Sequence, residues 1–207
     1  APRDIRLEAP IGSAAYKKEV GRPAILGYFR TLEYQDLGFH KPIMLAGGIG
    51  SIKEVQIKKG TPKPGDAVIV LGGPAMLIGL GGGSASSTKK TNDNADLDFA
   101  SVQRSNPEMQ RRAQQVLDKF NERSSKNPIT FIHDVGAGGI SNAIPELAKD
   151  TNLGVEINLE KIDSADQTMS PMELWCNESQ ERYVFTIPMK KVRALENICR
   201  KERCPFS

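Results

Sequence analysis

The chain has 207 residues and a formal charge of +3, from 28 Lys and Arg against 25 Asp and Glu. That length holds one domain of ordinary size, or one domain with part of another. The two signs of charge are interspersed, which points to neither a nucleic-acid nor a membrane surface, and no apolar run approaches the ~20 residues that cross a bilayer.

The N-terminal APRDIRLEAP lacks the apolar core of a secretory signal. Cys176, Cys199 and Cys204 are odd in number and lack metal-ligand spacing, which fits reduced thiols in a reducing, cytoplasmic setting. Both ends read as cut. The chain opens in polar, unpatterned sequence and stops at Cys204-Pro205-Phe206-Ser207, where a helix gives way to a new strand, so a piece of a longer polypeptide is expected.

Residues 1 to about 40 have weak periodicity. Gly12-Ser13-Ala14-Ala15 and Gly21-Arg22-Pro23 are loop signals, and Tyr16 to Val20 suffices for one helical turn. Ala24 to Arg30 is a candidate strand interrupted by Gly27, and Pro42 to Leu45 is a further apolar run that Gly47-Gly48-Ile49-Gly50 breaks. Ile52 to Ile57 alternates imperfectly and reads as an exposed strand. Thr61 to Asp66 is a turn cluster and a domain boundary, and Ala67 to Leu71 is the cleanest buried strand.

After Gly72-Gly73-Pro74 comes Leu80-Gly81-Gly82-Gly83-Ser84-Ala85-Ser86-Ser87. Such a stretch lets backbone N–H groups and hydroxyls hold phosphate oxygens, but it lacks the GKS or GKT ending of a P-loop, and on composition alone a flexible Gly/Ser loop is the better reading. Asn106 then caps a helix from Pro107 to about Asn121, whose Met109, Ala113, Val116, Leu117 and Phe120 share one face.

Ile129 to Ile132 reads as a buried strand, with Asp134 at its end and a glycine turn, Gly136-Ala137-Gly138-Gly139, behind it. Ser141 or Asn142 is placed to cap the following helix, with Pro145 in its first turn. A carboxylate at a strand end facing a helix start suits a metal–phosphate site, and equally suits a turn cap. Gly154 to Leu159 alternates like a strand, and Ser170-Pro171 starts a short helix to about Trp175. The polar run Asn177 to Arg182 is wedged before the strand Tyr183 to Ile187, where it serves either ligand binding or a charged turn. Pro188 introduces a last helix with Val192, Leu195, Ile198 and Cys199 on one face. Alternating strands and helices of this kind make a sheet with helices packed on it.

In order along the chain, GRPAILGYFRT from Gly21, HKPIMLAGGIG from His40, LGGPAMLIGLGGGSASS from Leu71, DLDFASVQRSNPEM from Asp96, FIHDVGAGGISNA from Phe131 and ELWCNESQERY from Glu173 resemble the phosphoribosylformylglycinamidine synthases, in their large single-chain form. The resemblance covers essentially the whole chain. It implies an α+β fold, a mixed β-sheet packed with helices like the C-terminal domain of aminoimidazole ribonucleotide synthetase, over residues 63–207. Residues 1–62 would be the tail of the preceding N-terminal synthetase-type domain with its linker.

The resemblance also implies an ATP-dependent amidoligase that turns formylglycinamide ribonucleotide into the amidine, with Mg²⁺ as cofactor and ATP as substrate. It implies substrate binding by Gln103, by Glu178-Ser179-Gln180 and by Gly83, Ser84 and Ser86. Asp134 would hold Mg²⁺, and Leu26, Gly27 and Tyr28 would lie against ATP. No catalytic residue is implied within this chain, and none is carried to His133 or Cys176. The family's ATP loop, catalytic histidine and glutaminase domain would lie elsewhere in the polypeptide, so the piece alone is expected to be inactive. A non-catalytic module holding a structural nucleotide is the alternative.

Overall fold

The computed structural model describes residues 2–22, 24, 27, 30, 32–38, 45–80, 106–122 and 127–207. The chain forms two compact units, Ala1–Ile52 and Lys53–Ser207.

In the first unit, α1 runs over Pro2–Val20, far longer than the single turn expected at Tyr16 to Val20. Its charges suit the helix dipole, with Asp4 in the first turn and Lys17 and Lys18 in the last. The Gly21 loop signal proves to be the helix end. Gly21 takes φ +79°, and the N–H groups of Gly21 and Arg22 both reach the Lys17 carbonyl. Pro10 and Gly12 sit inside the helix, which is why its pattern was hard to read. A small hairpin follows, β1 (Glu33–Tyr34) against β2 (Leu37–Gly38). Of the expected strand at 24–30, Ala24, Gly27 and Arg30 lie in no strand, and the rest lies outside the described residues. Of Pro42 to Leu45, only Leu45 is described, exposed and in no strand.

The second unit is built on three strands, β3 (Ala67–Gly72), β4 (Phe131–Asp134) and β5 (Arg182–Ile187). Their order is β3-β5-β4, and β5 pairs antiparallel with both neighbours. A parallel bridge between Ala75 and Ser164 adds a further contact beyond β3. Because side chains alternate along a strand, the sheet has two apolar faces. Ile69, Leu71, Phe185 and Ile187 face α2 (Pro107–Asn121) and α5 (Val192–Glu202), and bury Phe120, Val116 and Leu195 completely. Val68, Val70, Val184 and Phe131 face α3 (Ile140–Thr151), through Ile140, Ala143, Ile144 and Leu147. The fold is α+β, as expected.

The helix at 107–121 forms as expected: the Asn106 side chain accepts from the Met109 N–H at 3.0 Å, with Pro107 at the first position. Short α4 (Pro171–Cys176) has a full capping box between Ser170 and Glu173. The Ser170 N–H and hydroxyl hold the exposed Glu173 carboxyl below its ordinary range.

Three expectations fail for physical reasons. Ile52 to Ile57 is no strand; Glu54–Gln56 is one 3-10 turn, closed by Gln56 N–H to the Lys53 carbonyl at 2.8 Å. Among the described residues this segment has no partner strand, and imperfect alternation alone cannot satisfy a ladder. Gly154 to Leu159 likewise joins no strand among the described residues, and ends in a 3-10 turn at Leu159–Lys161 that the Asn158 side chain caps. Helix α3 is capped by neither Ser141 nor Asn142. It starts at Ile140 behind Gly139, so Pro145 falls in the second turn rather than the first, and the Ser141 hydroxyl turns back to the Gly138 carbonyl.

Candidate functional site

The site grows from the end of β4. Asp134 pairs with Tyr183 as the ladder's last residue, and the chain then leaves the sheet with one further bond, Val135 N–H to the Arg182 carbonyl at 3.0 Å. With the backbone turning away there, the Asp134 carboxylate is 77% exposed. Gly136 passes beside it, so close that a Cβ there would lie 3.8 Å from Asp134 Oδ2. The turn then runs through Gly138 and Gly139, at φ +76° and +62°, into α3.

The polar run after α4 folds onto this turn. Asn177, Glu178, Ser179 and Arg182 are all buried. Buried polar groups are generally hydrogen-bonded, and here one network meets all but one of these side-chain groups, Arg182 Nη1. The Asn177 amide donates to the Glu173 and Leu174 carbonyls, 2.7 and 2.9 Å, completing the last turn of α4. Its Oδ1 accepts from the Ser179 hydroxyl at 2.7 Å and from Arg182 Nη2 at 2.9 Å. Ser179 Oγ accepts the Met76 N–H at 2.9 Å. Arg182 also donates to the Asn177 and Ser179 carbonyls, both at 3.0 Å. Its Nη1 has no partner among the described residues, and burial pulls this guanidinium down to about 10.

Glu178 is the joint between the two halves. Its N–H donates to the Ile78 carbonyl at 2.9 Å, and its Oε1 accepts the Gly138 N–H at 2.7 Å. Backbone packs against it from two sides. A Cβ at Gly79 would overlap the Glu178 Cβ, and one at Gly139 would overlap the Asn177 carbonyl oxygen. Both positions have positive φ, which glycine alone adopts without strain. Gln180 is half-buried, with its Nε2 donating to the Glu178 carbonyl at 3.0 Å.

Of the residues expected at a site, the second unit thus gathers Asp134 and Glu178-Ser179-Gln180 around one glycine turn. Gly27 lies in the first unit, exposed. Gln103, Gly83, Ser84, Ser86, Leu26 and Tyr28 lie outside the described residues. Asn177 and Arg182, which hold the network together, were not singled out from the sequence; their signal was only the density of polar residues between two buried elements. Among the described residues no group of three His, Cys, Asp or Glu side chains could hold a metal ion. Asp134 offers one hard oxygen ligand, and Mg²⁺ is commonly held by one or two carboxylates with waters and substrate phosphates. An open groove of about 660 Å³, lined by Lys161, Asp163, Gln167, Arg200, Arg203 and Phe206 among others, includes none of the expected residues. Among the described residues no helix is long and apolar enough to cross a membrane.

Residues 63–207 match the family described as AIR synthase related protein, C-terminal domain. The chain is 55% identical over 214 residues to phosphoribosylformylglycinamidine synthase of Saccharomyces cerevisiae, covering 99% of this chain and 16% of that protein. In structure it resembles Thermotoga maritima PurL complexed with FGAR, with TM-score 0.69 and 20% identity over 94% of this chain and 31% of that one. T. maritima PurL complexed with ATP gives TM-score 0.64 and 19% identity over 94% and 29%. At such identities the likeness speaks for the fold.

Proposed function

This chain belongs to the AIR synthase related proteins, whose C-terminal domain it carries at residues 63–207, and on that premise we propose that it is the substrate-side part of a phosphoribosylformylglycinamidine synthase. The reading is supported by 55% identity to the yeast enzyme, of whose length the chain spans 16%. Residues 1–62 then belong to the preceding synthetase-type domain and its linker. The remaining synthetase domains and a glutaminase domain complete the working polypeptide, and the three free cysteines suit a cytoplasmic home.

In this reaction the glycinamide carbonyl oxygen of formylglycinamide ribonucleotide attacks the γ-phosphorus of ATP, releasing ADP. Ammonia from glutamine then adds to the activated carbon. The C–O bond breaks, phosphate leaves, and the amidine remains. An amide oxygen is a poor leaving group, and phosphorylation makes it a good one. Bound Mg²⁺ would neutralise phosphate charge during the transfer.

The chain's own residues bind and orient. Gln180 faces the ribonucleotide, together with Gln103 and with Gly83, Ser84 and Ser86 on its phosphate. Glu178 and Ser179 are buried, and Ser179 spends its hydroxyl on Met76 and Asn177, so these two act by fixing the backbone against which the substrate lies. Asp134 contributes a metal ligand, and Leu26, Gly27 and Tyr28 border ATP. With the nucleotide half of the site absent, the isolated chain does not turn over.

The observation that carries this reading is the bond from the Gly138 N–H to Glu178 Oε1. It joins the Asp134 turn to the Glu178-Ser179-Gln180 segment, so that metal and substrate would meet at one place. Hydrogen exchange on the full-length polypeptide tests it. Adding the ribonucleotide with Mg²⁺ should slow exchange in both 134–139 and 177–182. Protection in neither segment, under conditions where the enzyme turns over, would overturn the reading.

A further inference from the structure

His133 precedes the proposed metal ligand, yet the mechanism leaves it unused, and packing does not explain it. Its side chain is 28% exposed, and it belongs to neither apolar cluster of the second unit. What it does have is two oxygen partners. Nδ1 lies 2.7 Å from the Asp134 carbonyl oxygen. Nε2 lies 3.0 Å from Glu146 Oε2, on α3. The same Nδ1 is 3.5 Å from Asp134 Oδ1.

These contacts span the glycine turn. β4 ends at Asp134, α3 begins at Ile140, and the ring ties the last strand residue to a residue in the second turn of the helix. Pinning the Asp134 carbonyl fixes the peptide plane from which the chain turns away, and the same ring edge, 3.5 Å from Oδ1, lies beside the Asp134 carboxylate itself. At 77% exposure that carboxylate has little packing to hold it. A ligand free to rotate loses conformational entropy on binding a cation, whereas a ligand already aimed does not.

We propose that His133, anchored on Glu146, is a positioning residue that aims the Asp134 carboxylate at the cation. The proposal rests on the reading of Asp134 as a metal ligand. It assigns to His133 and Glu146 the part that outer hydrogen-bonded partners play at metal sites, where their loss costs ~10–100-fold in affinity.

The test uses the full-length enzyme with Mn²⁺ in place of Mg²⁺, its binding read by electron paramagnetic resonance in the presence of a non-hydrolysable ATP analogue. Asp134→Asn, His133→Leu, His133→Asn and Glu146→Gln are compared, each with a thermal melt and a KM for glutamine. His133→Leu should weaken Mn²⁺ binding by about tenfold. His133→Asn, whose amide can still donate to the Asp134 carbonyl, should recover part of the loss, with the KM for glutamine unmoved. Glu146→Gln, on the exposed side of α3, should shift Mn²⁺ affinity in the same direction, and it keeps the proposal testable if His133→Leu does not fold. Weakening in Asp134→Asn with unchanged Mn²⁺ affinity in Glu146→Gln and in a folded His133 variant would overturn the proposal while leaving Asp134 a ligand. Unchanged affinity in Asp134→Asn would overturn both.

Discussion

Replacing Gly139 by alanine should destabilise the second unit severely, because both its backbone conformation and its surroundings exclude a Cβ. The position has φ +62° and ψ −148°, a region open essentially to glycine, and holding another residue there costs ~1–3 kcal/mol. The added Cβ would also overlap the Asn177 carbonyl oxygen and lie 2.9 Å from the Asn177 carbonyl carbon and 3.3 Å from that of Cys176. All three are backbone atoms, so no rotamer change relieves the clash, and overpacking of this kind costs roughly another 1–3 kcal/mol. The sum, ~2–6 kcal/mol, is a large share of the ~5–15 kcal/mol by which domains are stable. With a urea slope of ~1–3 kcal/mol per molar, the unfolding midpoint should fall by about 1 M or more. Trp175, the one tryptophan of the chain, lies in α4 two residues before Asn177 and reports the transition by fluorescence. Gly154→Ala is the control, since nothing lies within 4 Å of its Cβ and its φ is not positive. Equal midpoints for the two variants would refute the reasoning that α3 and the Asn177 segment are in backbone contact.

Two further outcomes follow from the core. Phe120→Ala removes a fully buried ring between α2 and the sheet, and should cost ~3–5 kcal/mol in the same urea assay; a loss under about 1 kcal/mol would place that ring outside the core. Burial pushes the Cys199 and Cys204 thiols up from 9.0 to about 12, so the folded chain keeps protons that the unfolded chain releases. Their contribution to stability is therefore complete below pH 9 and declines as pH rises towards 12. The double variant Cys199→Ala, Cys204→Ala should lose stability less steeply over that range, and an unchanged slope would contradict the assignment.

How much of this was legible in the sequence depended on whether the signal was local. Asn106-Pro107 and Ser170-Pro171 carry their own capping chemistry, and both helices begin where those residues stand. Ala67 to Leu71 and Tyr183 to Ile187 are apolar on both faces, and both are strands covered on both faces. Ile52 to Ile57 and Gly154 to Leu159 misled because alternation says that a segment could pair, not that a partner exists. The start of α3 misled because Ser141 and Asn142 are good caps, whereas the helix is set one turn earlier by Gly139 lying against Asn177, a contact between residues 38 apart. The burial of Arg182 was invisible for the same reason. It follows from the even-numbered face of β5 and from the carbonyls of Asn177 and Ser179 folding back over it. Local pattern marked Asp134 and the 177–182 run as candidates with equal bland readings, and resemblance to a family decided for them; the Gly138–Glu178 bond that joins them needed the fold.

The central claim, that this chain carries the substrate side of the ligase, is tested most directly by steady-state kinetics of the full-length enzyme bearing Gln180→Ala. Gln180 is half-buried, and its side-chain bond to the Glu178 carbonyl, its one such bond among the described residues, lies outside the Asn177–Arg182 network, so its loss should leave the fold intact. The account predicts a KM for formylglycinamide ribonucleotide raised by about tenfold or more, the worth of a lost substrate hydrogen bond, with the KM values for ATP and glutamine and the thermal melt unchanged. An unchanged KM for the ribonucleotide, or one that rises in step with the KM for ATP, would contradict it.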